Sequence, residues 1–218
     1  LLKEESFDVF LSLRDTEQIE SATAISLLDY FETSFLPRPT RLDIIDKQSI
    51  KINSFIDKAI IEALKTSASV QLETEDYSLR VGFNNIQRNY ISVKSKTTHI
   101  ENQLIDNLKE FTLHLIRVSE PLFASAYLQK KQDQIDEKYF EDTDYEDVPL
   151  LKWLNYFGDK EFIKRGGEAV FNTPHIKAER MGNGILIQVG DSPYDAYTPE
   201  GEELLVKASL AMPPYRRR

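Results

Sequence analysis

Three short runs between Ser69 and Ser95 constrain the fold of this chain more than any other feature. Ser69 to Thr74, Tyr77 to Phe83 and Tyr90 to Ser95 are strand-length segments rich in Val, Leu, Ile and Tyr. Glu75-Asp76 and the Asn84-Asn85 region between them supply turn chemistry. Three strands joined by short turns make an antiparallel meander. A meander hides one face only if something packs on it, so the flanking helices belong to the same core.

Upstream, Phe7, Val9, Leu11 and Leu13 alternate with Asp8, Phe10, Ser12 and Arg14, which predicts a strand over FDVFLSLR. Phe10 on the polar face implies that this face is partly covered too. Ser21 is a candidate N-cap for a helix carrying Ala22, Ile25, Leu28 and Phe31, ended by Pro37 and Pro39. Arg41 to Ile45 reads as extended. Ile52, Phe55, Ile56, Ala59, Ile60 and Ala63 mark a second amphipathic helix that ends near Thr66.

Downstream, Leu104, Leu108, Phe111, Leu115, Val118 and Leu122 form a long helical stripe, with a kink or break expected at Pro121. Helix is expected to resume over Phe123 to Lys131. Gln132 to Asp147 holds eight acids against Lys138, and like-charge repulsion predicts an exposed loop or frayed helix. The fold class expected is α+β: an antiparallel sheet of about five to six strands packed with helices, in a single domain over 1–218 with an acidic exposed segment at 132–148.

The 41 % hydrophobic content supports a substantial core. Lys plus Arg total 27 against 36 Asp plus Glu, a net charge of −9, which argues against a nucleic-acid partner. No apolar run approaches the ~20 residues of a membrane span. The absence of cysteine removes disulfides, thiolate metal sites and cysteine nucleophiles. Cytoplasmic residence is expected, or periplasmic residence if an N-terminal signal has been removed. An uncovered strand edge, at FDVFLSLR or at the last meander strand, could pair with a second copy in a homodimer.

No catalytic constellation or cofactor site is evident. His99, His114 and His175 fall in no two-histidine metal motif, and no Gly-x-Ser-x-Gly elbow exists. Asp142 to Glu146 looks superficially like a calcium loop, yet its sixth and twelfth positions are Asp147 and Trp153 rather than Gly and Glu. Arg165-Gly166-Gly167 lacks the Gly-Lys-Ser/Thr ending of a phosphate loop and reads as a helix end. The exposed acidic run gives paired carboxylates no pocket in which to separate their pKa values.

The block from Pro149 to Pro193 holds the only Trp, an aromatic cluster and a double glycine. Leu150 to Phe157 is expected to be helical, with Leu150, Leu154 and Phe157 on one face and Tyr156 partly exposed. Lys160 to Arg165 reads as a short helix closed by Gly166. Ile176 to Arg180 and Ile185 to Val189 flank Met181-Gly182-Asn183-Gly184, the strongest hairpin signal in the chain. Pro199 to Leu210 reads as a last helix capped by Thr198.

Pro149, Trp153, Leu154, Asn155, Tyr156, Gly158, Gly166, Gly184, Leu186, Gln188 and Pro193 follow a recognisable order: a P-x-x-x-W-L-N-Y-F-G start, a short helix ending in Arg-Gly, then glycines before I-L-I-Q, and a downstream proline. In this the chain resembles the bacterial polymorphic-toxin immunity proteins of the Immunity-protein-52 family, associated with type VI secretion. The resemblance implies a non-catalytic protein that binds and neutralises a cognate effector toxin, and it carries over no toxin-binding residue. Charge and interface propensity nominate Glu141, Asp142, Asp144, Glu146, Tyr156, Tyr194 and Tyr197 as contacts. The competing readings are a scaffold or adaptor module and a small enzyme with an unrecognised site.

Overall fold

The computed structural model of the protein describes residues 6–13, 28–33, 38–44, 49–66, 69–82, 90–95, 102–140 and 150–213. Their strands form one antiparallel sheet. They are β1 (Phe7–Ser12), β2 (Arg41–Ile44), β3 (Ser49–Lys51), β4 (Ser69–Glu73), β5 (Tyr77–Gly82), β6 (Tyr90–Ser95), β7 (Phe123–Leu128), β8 (Leu154–Phe157), β9 (Lys177–Met181) and β10 (Gly184–Gln188). The spatial order is β3-β2-β4-β5-β6-β1-β7-β8-β10-β9. The mixed helix and strand class is as expected, but the sheet has 10 strands rather than five or six.

The meander β4-β5-β6 forms as predicted. Its first turn closes where Thr74 N–H donates to the Tyr77 carbonyl at 3.0 Å. β1 is expected to offer a free edge, but it lies between β6 and β7, with Val9 opposite Val93 on one side and Ala126 on the other. β6 is likewise internal, between β5 and β1. The edges of the sheet are β3 and β9, so the two strands singled out for pairing with a second copy cannot supply that contact.

One face of the sheet carries Phe7, Val9, Leu11, Leu72, Leu79 and Val93, all essentially inaccessible. Against it pack the helical residues 28–33 (α1), α2 (Lys58–Thr66) and α3 (Asn102–Ser119). Phe31 joins Phe55 at 5.3 Å and Phe111 at 4.9 Å in the middle of this layer. Ile52 and Phe55 are buried as their apolar character requires, but they precede the helix, which starts at Lys58 after Asp57 accepts from Ala59 N–H at 2.9 Å. α3 stops at Ser119, where Glu120 takes a positive φ of 41° and Pro121 forbids continuation.

Among the described residues, helices cover the second face over only part of its width. α4 (Gln129–Phe140) packs on β7, α5 (Asp159–Lys164) on β8 and β10, and a 3₁₀ turn (Gly167–Asn172) on β9. α6 (Pro193–Ala196) and α7 (Pro199–Ala211) complete that layer, with α7 against α4. Under it Ser125, Asn155, Phe157, Ile185 and Ile187 are buried, so β8 and β10 are enclosed on both sides. On β2 to β6 the same face is exposed or half-buried at Arg41, Asp43, Gln71, Ser78, Arg80, Ser92 and Lys94. No helix among the described residues is long and apolar enough to cross a membrane.

Two expected helices are strands. Phe123 to Leu128 is β7, and helix begins only at Gln129; Leu154 to Phe157 is β8. β8 is buried on both faces, and β7 is half-buried only at Phe123 and Tyr127, so neither shows the alternation that marks a strand with one wet face. The later expectations hold. Gly166 ends α5 at φ 101°, Thr198 caps α7 by accepting from Gly201 N–H at 3.1 Å, and β9 and β10 form the hairpin. The hairpin turn residues are Gly182 and Asn183, with a positive φ of 54° at Gly182.

Gly184 lies against β8 so closely that an added Cβ would come within 2.3 Å of the Phe157 carbonyl oxygen and 2.6 Å of the Tyr156 ring. Backbone cannot yield as a side-chain tip can. Gly184→Ala is therefore expected to cost about 3 kcal/mol, the upper range for forced overpacking. Urea unfolding checks this, and a variant as stable as the parent contradicts the β8-β10 register.

Candidate functional site

Where the covered part of the second face meets the open part, ionisable groups crowd together. Asp8 of β1 stands directly opposite Tyr127 of β7. Lys152, just before β8, reaches over the Tyr127 ring with its Nζ 3.4 Å from the ring centroid. Asn155 fixes the Lys152 backbone: its Oδ1 accepts from Lys152 N–H at 3.0 Å, and its Nδ2 donates to the Lys152 carbonyl at 2.7 Å. From above, α4 contributes Asp133 and Asp136, which with Asp8 act electrostatically on Lys152.

Burial governs the protonation of this cluster. It lowers the pKa of Lys152, while Asp136, Asp133 and Asp8 push back toward the charged form. Burial raises Asp8, opposed by Lys94, whose Nζ lies 3.7 Å from Oδ2, and then by Ser6 and Lys152. It also raises Asp136, opposed by a 2.7 Å hydrogen bond from Gln132 Nε2 and by Lys152. Tyr127 is pushed up to about 12 by burial and then by the surrounding aspartates. Asp8 Oδ1 is buried without a hydrogen-bond partner among the described residues.

A second polar thread fastens α4 from its other side. Tyr197 is 5 % exposed, and its hydroxyl donates to Gln132 Oε1 at 2.7 Å. Gln132, itself 1 % exposed, passes the chain on to Asp136. Tyr197, Gln132, Asp136 and Lys152 thus bolt α4 to the sheet and to the α6-α7 turn. A lysine set over an aromatic face, in the field of Asp8, Asp133 and Asp136, is suited to holding a helix in place, because its charge favours the ionised form of those carboxylates.

The nominated contact residues separate into three groups. Glu141, Asp142, Asp144 and Glu146 lie outside the described residues. Tyr156 was expected to be partly exposed but is 2 % exposed, because β8 turns it into the sheet–helix core beside Gly184. Tyr197 is committed to Gln132, and Tyr194 alone of the three tyrosines is half-buried. The beginning of the acidic run is regular helix rather than loop: Gln132, Ile135 and Phe140 face inward, while Asp133 and Glu137 stay exposed.

His114 stacks on Tyr30 with ring centroids 3.5 Å apart, and burial followed by Arg117 lowers its pKa. His175 is exposed with a φ of 67°, and His99 lies outside the described residues. Among the described residues no group of three or more His, Cys, Asp or Glu is arranged to hold a metal ion.

The fold recurs in a solved structure, Pseudomonas aeruginosa T6SS protein PA0821. The two agree with a TM-score of 0.66 over 95 % of this chain and 76 % of that one, at 12 % identity. At that identity the likeness is one of fold alone. No family sequence profile matches the chain. No curated protein matches it either. The resemblance to an immunity-protein family is one of the C-terminal motif alone.

That motif is now legible as packing. Trp153 is 1 % exposed and meets Phe7 edge-on at 5.8 Å, with Lys109 Nζ 5.9 Å from its ring. A Cβ on Gly158 would strike the Pro121 carbonyl oxygen at 2.4 Å. Gln188 accepts from Lys109 Nζ at 3.1 Å and donates to the Gly190 carbonyl at 2.7 Å. Pro193 opens α6 behind the Ser192 cap. These residues join β8 and β10 to the rest of the sheet, so the motif marks a fold.

Sequence inspection missed Lys152 and its carboxylates. The available signals were a lysine between Leu151 and Trp153 in an apolar run, and an aspartate inside a strand. Lys152→Met is expected to destabilise the protein by about 1 kcal/mol at pH 7.5, since it removes the cation that favours the ionised form of the half-buried Asp8 and Asp136. Asp8 and Asp136 have raised folded pKa values, so they take up protons first on acidification, and the deficit should shrink toward pH 5. Urea unfolding at both pH values measures it; a deficit that grows at pH 5 contradicts the assignment.

Proposed function

We propose that this chain is an immunity protein associated with type VI secretion, which binds a cognate effector toxin and neutralises it without catalysis. One observation carries the reading: 95 % of the chain shares its fold with a T6SS protein. The C-terminal motif, on which the resemblance to immunity proteins stands, supports it as well.

In this reading the acidic segment carrying Glu141, Asp142, Asp144 and Glu146 is one contact with the effector, and Tyr194 is another. A net charge of −9 favours approach to a basic partner and accelerates encounter at low salt.

The test is co-expression with the product of the neighbouring reading frame in cells that the product alone kills. Restored growth and a complex that survives gel filtration are expected. Charge reversal at Glu141, Asp142, Asp144 and Glu146 should lower affinity at low salt by at least tenfold. A harmless neighbour, or one that elutes apart from this chain, contradicts the proposal.

A further inference from the structure

β9 closes the sheet at one end, with five residues against the three of β3 at the other. Which of its backbone groups point outward follows from the neighbouring seam. Val189 N–H donates to the Trp153 carbonyl at 2.9 Å, so Ile185, Ile187 and Val189 turn their backbone groups toward β8. Gly184, Leu186 and Gln188 therefore turn theirs toward Met181, Glu179 and Lys177 of β9. Ala178 and Arg180 are left with N–H and C=O directed away from the sheet. Among the described residues no further strand meets them.

Such an edge accepts one more strand, and its side chains decide which. Lys177, Glu179 and Arg180 are exposed, and charges of this kind turn most strands away. Two copies of β9 can meet antiparallel about a two-fold axis. Outward groups must then meet outward groups, so the axis passes through a residue rather than between two. An axis at Lys177, Glu179 or Arg180 sets that charge against its own copy. An axis at Ala178 instead sets Lys177 of each copy opposite Glu179 of the other, in the non-hydrogen-bonded positions where side chains approach closest. Glu179 forms no ion pair among the described residues. Lys177 reaches Asp191, but those side chains are 69 % and 79 % exposed, so the pair is worth little, and the ammonium keeps donors for a second carboxylate. Arg180 lies on the Phe162 ring at 4.3 Å and pairs with Glu168, which leaves its backbone to the edge.

We infer that β9 pairs antiparallel with β9 of a second copy of this chain, about an axis at Ala178. The sheet then runs unbroken through both copies. The charges that guard the edge against other strands match in this one register, so the same residues exclude and select. The pairing goes beyond effector binding and is independent of it, because the contacts nominated for the effector lie on other segments.

The chain has no cysteine, so a single introduced one reports the register. Directly opposed residues of a hydrogen-bonded pair have Cα atoms about 5.5 Å apart, within the span of a disulfide. Ala178→Cys should therefore give a covalent dimer under mild oxidation, and Asn183→Cys, at the exposed hairpin tip, should not. Sedimentation of the unmodified chain over a hundredfold concentration series should show monomer passing into dimer. Glu179→Lys and Lys177→Glu should each weaken self-association at least tenfold without moving the melting temperature. A mixture of those two variants should dimerise again, because each supplies the charge the other lacks. A chain that stays monomeric up to millimolar concentration overturns the inference. So does a dimer indifferent to Glu179→Lys, a mixture that fails to re-associate, or cross-linking of Ala178→Cys no faster than that of Asn183→Cys.

Discussion

β1 makes one sheet out of what would otherwise be two. The strands on its β6 side come from the N-terminal half of the chain, and those on its β7 side from the C-terminal half. Phe7, Val9 and Leu11 are fully inaccessible, and each contributes about 1.5–3 kcal/mol by burial. Their strand mates on both sides give up ladder hydrogen bonds if β1 leaves. The first strand in sequence thus depends on contacts with residues more than a hundred positions away, such as Phe7 with Leu128 and with Trp153. Such long-range pairing is slow to assemble, and productive folding has to protect the open edges of β6 and β7 until β1 docks.

Everything beyond β7 is arranged to extend that seam. Gly158 and Gly184 permit backbone to approach backbone, and Asn155 closes the turn into β8. Trp153 fills the space next to Phe7. The aromatic and glycine residues that invite a functional reading are therefore occupied with joining strands. Among the described residues, polar side chains open to solvent lie elsewhere, on the second face of β2 to β6 and on the outer side of α4. A fold can be shared at 12 % identity because backbone joints constrain the chain while exposed faces are free to differ.

What could be read from the sequence followed the alternation of wet and dry positions. β1, β4, β5 and β6 have one half-exposed face, so their period of two is visible in Phe7, Val9 and Leu11 or in Leu79 and Val81. β8 is dry on both faces and β7 is wetted only at its aromatic Phe123 and Tyr127, so FASAYL and LNYF contain no polar alternation to detect; buried strands and buried helices look alike at that length. β2 and β3 are only four and three residues long. Caps were easier, because Thr198-Pro199 and Gly166 act locally. Lys152 was invisible for the opposite reason: its partners Asp8, Asp133 and Asp136 come from separate elements, and only the sheet order unites them. The acidic residues nominated as contacts lie outside the described residues, and two of the three tyrosines proved to be core.

A protein that neutralises by occupation leaves a quantitative signature distinct from one that works by turnover. The most direct measurement is a titration of the effector's toxic activity with increasing amounts of this purified chain, after long incubation at concentrations far above the dissociation constant. Activity should fall linearly and reach zero at one molar equivalent, with no further change on waiting. Progressive inactivation by a small fraction of an equivalent would show that the chain acts catalytically, and would contradict the account at its centre.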